Sequence, residues 1–212
     1  SCVAQSICKA MEIRNIIQNG PDSHKDLSIR AVWYLGREQR GMQSHNVGMH
    51  ISKGLDIVRK FGVPFEEDCP WSEDAMHKSP SMGAMRKAFG NRIDSHYRIL
   101  SYGDNRVELI IEALSKGYPV VFGTACGGPQ WKYDGSEPIG LPVGKDDGNG
   151  SHAITIVGYD AQRFGGSFVI ENSWGSKWGE DGFANMTVEL VGSVASKDFW
   201  VVKDSVLGAQ NG

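Results

Sequence analysis

Three side chains far apart in the sequence carry complementary chemistry: Cys2, His152 and Asn172. A thiol attacks only as the thiolate, and an unperturbed thiol is mostly protonated at neutral pH. An imidazole can take that proton and later return it to a leaving group. A carboxamide does not titrate, so beside an imidazole it orients the ring and fixes its tautomer. In this order the three are the parts of a cysteine nucleophile, its base and the group that holds the base. Each has an ordinary structural explanation taken singly: a small residue near a chain start, a core histidine, a turn asparagine. Their joint order and surroundings are far more restrictive.

Those surroundings are specific. Residues 151–160 read SHAITIVGYD and residues 171–183 read ENSWGSKWGEDGF, so Trp174 and Trp178 each precede a glycine, with Gly182-Phe183 behind. After Cys2, apolar residues recur at Val3, Ile7, Ala10, Met11 and Ile17 until Gly20-Pro21 stops the run. That spacing predicts a helix with Cys2 at its N-terminus. Unpaired N–H groups and the helix macrodipole favour a thiolate there.

The elements that must position these residues change character along the chain. Leu27, Ala31, Tyr34 and Leu35 predict a second helix, and Ile51, Leu55 and Val58 a third, closed by Gly62 with Pro64 beyond. Residues 63–103 are polar and broken by Pro70 and Pro80, with one short helix carrying Met82, Met85 and Phe89. Val107, Ile110, Ile111 and Leu114 predict a further helix ending at Gly117. From Tyr118 onward short β-rich runs follow: YPVVFG, HAITIVGY, SFVIEN, FANMTVEL and FWVVK. Residues 127–150, rich in glycine with Pro129, Pro138 and Pro142, read as a long loop. Helices first and strands second give an α+β fold of two lobes, a helical lobe over 1–103 and a β-rich lobe over 104–212.

A chain of 212 residues with 40% hydrophobic and 22% charged residues has a globular composition. A formal charge of -3 lacks the basic footprint of a nucleic-acid partner. No apolar run approaches the roughly 18 residues of a membrane span, and no charged-then-apolar leader is visible. Neither nucleic acid nor membrane is therefore expected as a partner. Setting Cys2 aside, Cys8, Cys69 and Cys126 allow at most one disulfide. That mildly favours a cytoplasmic or virion and assembly setting.

The motifs resemble those of the papain-family (C1-type) cysteine peptidases. SCVAQSICKAMEI resembles the family's cysteine helix, including Glu12; GSHAITIVGYD is similar to its histidine block and ENSWGSKWGEDGF to its asparagine block. GMHISKGLDIVRKFGVPFEEDCPW resembles the family's middle helix and Pro-aromatic turn. Val3 and Gln5 replace aromatic residues usual in the family, which points to a divergent branch, bacterial or phage. The resemblance implies a papain-like two-lobe fold with a barrel-like β lobe and the active cleft between lobes. It also implies a thiol hydrolase that cleaves peptide or protein substrates through an acyl-enzyme. Cys2 would be the nucleophile, His152 the base and acid, Asn172 the group that orients it, and Trp174 the shield of their contact. Substrate would meet Gly48, Met49 and Ser151, with Trp131 or Trp174 on the leaving-group side. The family's oxyanion-hole glutamine lies six residues before the nucleophile, so an upstream segment or assembly partner is expected to complete the hole.

No cofactor or metal is expected. His45, His50, Cys69 and His77 match no standard zinc spacing. Asp146-Asp147-Gly148-Asn149-Gly150 has calcium-loop composition without the ligand spacing. Two other functions use the same residues: a peptidase-fold structural component of a larger assembly with weak turnover, and a peptidoglycan amidase.

Overall fold

The computed structural model describes residues 1–142 and 151–207. The Asp146–Gly150 composition therefore lies outside the described residues. Contacts divide the chain into two compact units, Ser1–Tyr97 with Val202–Gly212, and Arg98–Val201.

The first unit is mainly helical. Helix α1 spans Cys2–Asn19 and buries Val3, Ala4, Ile7, Cys8, Ala10 and Met11, the face that the apolar spacing predicts. Gly20 ends it at φ 90°, its N–H donating to Ile16 O at 2.8 Å. Helix α2 spans Ile29–Glu38 and is capped by Ser28, whose Oγ accepts the Ala31 N–H at 3.2 Å. Helix α3 spans Ile51–Phe61 and packs closely on α1 because Gly54 has no side chain: a Cβ there would lie 2.5 Å from Ile7 Cδ1. A short helix, α4, spans Met82–Ala88 behind the Ser81 cap. Strand β1, Arg92–Ile99, follows. The sequence reading lacks this strand, although Ile93, Ser95, Tyr97 and Ile99 alternate with Arg92, Asp94, His96 and Arg98 along it. Its burial is confined largely to Ile93 and Ile99.

The second unit begins with the end of β1. Helix α5 spans Gly103–Ser115 and strand β2 Val120–Ala125. Strands β3 (Ser151–Asp160), β4 (Ser167–Glu171) and β5 (Phe183–Thr187) come next. The run FANMTVEL is part strand and part helix, because Thr187 Oγ1 accepts the Leu190 N–H at 3.1 Å and starts helix α6, Val188–Gly192. Strand β6, Ser196–Val206, closes the order β1-β6-β2-β3-β4-β5, with antiparallel ladders on both sides of β2 and β3. Ile154, Ile156, Phe168 and Ile170 fill the core with Phe122 and Phe199, whose rings stack at 4.8 Å. The first part of the glycine-rich loop is held to β5: the Ile139 N–H donates to Asn185 O at 2.8 Å and the Thr187 N–H to Ile139 O at 3.0 Å. Among the described residues no helix is long and apolar enough to cross a membrane.

Candidate active site

Cys2 is the first residue of α1 and is half-buried. No acidic residue sits in the first turn of α1, at the positive end of the helix dipole, to oppose a thiolate there. Ser6 Oγ donates to Cys2 O at 2.9 Å, and Gln5 Nε2 donates to Ser1 Oγ at 3.0 Å. The Gln5 amide is thus engaged along its own helix. None of the four thiols is joined in a disulfide. Cys8 is fully enclosed, and burial pushes its thiol well up, with Glu12 adding to the effect.

Gly48 and Met49 also belong to the first unit, where α2 and the turn that follows it hold their segment. Trp33 Nε1 donates to Val47 O and Arg40 Nη1 to Gly48 O, both at 3.0 Å. Between them, Gly36 leaves the space that Met49 Sδ occupies, since a Cβ there would collide with it. Trp33 and Gly36 share a face of α2 by their spacing and Arg40 lies in the turn beyond it, a signal present in the sequence but not linked to Met49 by pattern alone. Met49 Cε also comes near Gly54, beside Val3 and Ile7.

In the second unit, His152 is the second residue of β3, opposite Thr124 of β2, and Ser151 stands exposed at the strand's start opposite Ala125. Asn172 follows β4 directly, and its N–H donates to Gly182 O at 2.9 Å. Both side chains are buried, and His152 Nε2 lies 2.7 Å from Asn172 Oδ1. The Ser173 N–H donates to the same oxygen at 2.8 Å. The turn that carries Trp174 and Trp178 needs left-handed backbone at Gly175, Gly179 and Gly182 (φ 83°, 61° and 91°). At Gly179 a Cβ would lie within 2.3 Å of Phe183 O.

Indoles wall the imidazole. The Trp174 ring stacks on His152 at 5.3 Å between centroids, while Trp131 meets its edge at 6.0 Å. Trp131 is buried and Trp174 is 46% exposed, so the first backs the site and the second covers it. Trp178 Nε1 donates to Trp131 O at 2.8 Å, and its ring lies 5.5 Å from Trp174, edge-on. Tyr133 supports Trp178 at 6.2 Å and donates to Asn185 Oδ1 at 3.1 Å. Burial raises the Tyr133 pKa and keeps the hydroxyl a donor. The sequence reading found Trp131 and Trp174 but not the supporting role of Trp178 and Tyr133.

These blocks have counterparts in known proteins. Residues 1–199 match the family of papain family cysteine proteases. The chain is 26% identical over 211 residues to an uncharacterized peptidase C1-like protein of Acanthamoeba polyphaga mimivirus, covering 96% of this chain and 67% of that protein. It is 32% identical over 205 residues to germination-specific cysteine protease 1 of Arabidopsis thaliana, covering 93% of this chain and 49% of the plant protein. Xylellain, a cysteine protease from Xylella fastidiosa, has a solved structure that superposes with a TM-score of 0.81 at 26% identity, covering 96% of this chain and 79% of that one. The chain thus spans between half and two-thirds of these curated relatives. With its α+β architecture and its histidine and asparagine blocks in place, the chain belongs to the papain family of cysteine proteases.

Proposed function

We propose that the chain hydrolyses peptide bonds of peptide or protein substrates, with Cys2 as nucleophile, His152 as base and acid, and Asn172 as the residue that positions His152. The His152–Asn172 pair carries the reading. A buried imidazole whose Nε2 is held at 2.7 Å by a carboxamide oxygen is a donor there, so its Nδ1 lone pair is the base.

In the first step the Cys2 proton passes to His152 Nδ1, and Sγ forms a bond to the substrate carbonyl carbon as the C=O π pair moves to oxygen. The Cys2 N–H at the start of α1 donates to that oxyanion. A second donor comes from an upstream segment or partner, since the Gln5 amide is engaged with Ser1 Oγ. Collapse of the oxyanion breaks the C–N bond as the Nδ1 proton moves to the leaving nitrogen. A water then gives its proton to Nδ1 and its oxygen to the acyl carbon, and the C–S bond breaks to restore the thiolate. Gly48, Met49, Ser151, Trp131 and Trp174 contact the substrate.

The test is the labelling rate of each thiol by a peptidyl epoxide, read by intact mass and peptide mapping. Cys126 is half-buried like Cys2 and serves as the comparison thiol, while Cys8 and Cys69 are enclosed. Fast single labelling at Cys2 that collapses in His152→Ala supports the assignment. Labelling of Cys2 no faster than Cys126 refutes it. Cleavage of peptidoglycan fragments without cleavage of peptides would replace the substrate class while leaving the residues in their roles.

A further inference from the structure

A cavity of about 650 Å³ lies in the second unit, lined by residues of α5 and α6 together with Leu141 and Tyr159. Its apolar lining is Val107, Val188, Leu141 and Tyr159, the last two being 37% and 36% exposed. Gly103 and Gly192 also line it, and a Cβ on Gly192 would rest in van der Waals contact with Gly103 Cα and Val107 Cγ2 at 3.5 Å, so α5 and α6 lie close together there. Exposed Leu100 and Tyr102 precede α5 in the chain, and exposed Val194 follows α6. Accessible apolar surface concentrated around a concavity is the usual mark of a recognition site.

Three carboxylates line the same cavity: Asp104, Glu108 and Glu189. Among the described residues none of them enters an ion pair, whereas Glu112, one turn beyond Glu108, pairs with Lys116. The nearby cation, Arg106, is buried and spent on backbone carbonyls, donating to Ser101 O and Ser193 O at 2.8 Å, Val191 O at 2.9 Å and Ser196 O at 3.0 Å. The cavity therefore combines an apolar lining with unneutralised negative charge.

We propose that this cavity is a docking site for a protein segment that alternates basic and aliphatic residues, its aliphatic side chains entering between α5 and α6 and its lysine or arginine heads reaching the three carboxylates. It uses none of the residues assigned to catalysis.

Fluorescence anisotropy of a labelled octapeptide alternating lysine and leucine, measured on the full Cys2→Ala chain, tests this without turnover. A glutamate-leucine octapeptide serves as the charge control. The Lys-Leu peptide should bind, weaken about threefold to tenfold in Glu108→Gln/Glu189→Gln, and weaken further between about 50 and 300 mM salt. Methyl resonances of Val107, Leu141 and Val188 should shift on addition. The proposal fails if the double variant binds as tightly as the parent, if the acidic peptide binds equally well, or if those methyls do not move. Because the readout is binding to a chain lacking the thiol, failure of the catalytic assignment would leave it intact, and the reverse also holds.

Discussion

Ser173 decides the tautomer of His152 without touching it. Its backbone N–H donates to Asn172 Oδ1 at 2.8 Å, so that atom must be the amide oxygen, because a flipped amide would set two N–H groups against each other. An oxygen 2.7 Å from His152 Nε2 then requires the ring proton on Nε2, which leaves Nδ1 as the acceptor. The neutral imidazole is poised as a base by a main-chain group one residue beyond its partner.

Asn172→Ala should lower kcat/KM about 10²-fold by freeing the ring to rotate, with little change in KM. Asn172→Asp keeps an acceptor for Nε2–H and adds a charge that favours the imidazolium. It should retain more activity than the alanine variant and move the imidazole-dependent inflection to higher pH. Steady-state pH profiles of both variants distinguish orientation from simple destabilisation, which would lower both alike.

Trp174 and Trp178 should separate cover from support. Trp174 is 46% exposed and stacks on the imidazole. Trp174→Ala should cost activity, about tenfold for one weakened hydrogen bond opened to water, with only a small loss of stability. Trp178 packs against three aromatic rings and donates to Trp131 O. Trp178→Ala should destabilise the fold by about 3 kcal/mol or more. Urea denaturation beside kcat/KM gives both readouts.

Gly175 and Gly179 of the same turn should respond unequally to alanine. Gly175 has φ 83° with nothing within 4 Å of a Cβ, so Gly175→Ala should cost about 1–2 kcal/mol of left-handed strain. Gly179→Ala carries that strain plus a collision with Phe183 O. It should be clearly less stable than Gly175→Ala and lose activity, because the same turn supplies the Gly182 carbonyl that holds Asn172. Equal denaturation midpoints for the two variants would contradict this.

Glu12 makes stability depend on pH in the direction opposite to an ordinary paired carboxylate. Its Oε1 accepts the Leu27 N–H at 2.8 Å and Lys9 lies 3.3 Å from Oε2, yet burial outweighs both and raises its pKa. The folded state therefore binds the proton more tightly than the unfolded one. Stability falls as pH rises from about 4.3, the unfolded value, through the raised folded value, and is then flat. In Glu12→Gln that decline should disappear while the Leu27 hydrogen bond persists. Denaturation midpoints of the two proteins from pH 4 to 8 should diverge in this sense.

Much of the architecture is legible in the sequence, for identifiable physical reasons. The α1 boundary was visible because Gly20 and Pro21 stop a helix by backbone geometry rather than by tertiary context. The Asn172 turn was visible because three left-handed positions demand glycine at fixed offsets. Strand β1 was not, because the uncharged face of its alternation holds only two aliphatic side chains, Ile93 and Ile99, and its pairing with β6 is what fixes it. The end of FANMTVEL was not, because Thr187 is a good strand residue and becomes a helix cap only through its bond to Leu190. The place of Met49 was hidden for a different reason: it depends on what Gly36 and Gly54 lack, and an absence pairs with no residue in sequence.

The position of β2 between β3 and β6 governs when the second unit can be finished during synthesis. One edge of β2 is satisfied once Ser151–Ile156 has emerged, but the other pairs with β6 through Thr124↔Ser196 and Val120↔Val201. A ribosome adding about 5–20 residues per second leaves that apolar edge uncovered for several seconds, during which Val120, Val121 and Phe122 stand available to any passing strand. The interval is a window of risk for nascent-chain aggregation. Slower elongation between Ala125 and Ser196 should lengthen it, and lower the yield of soluble protein.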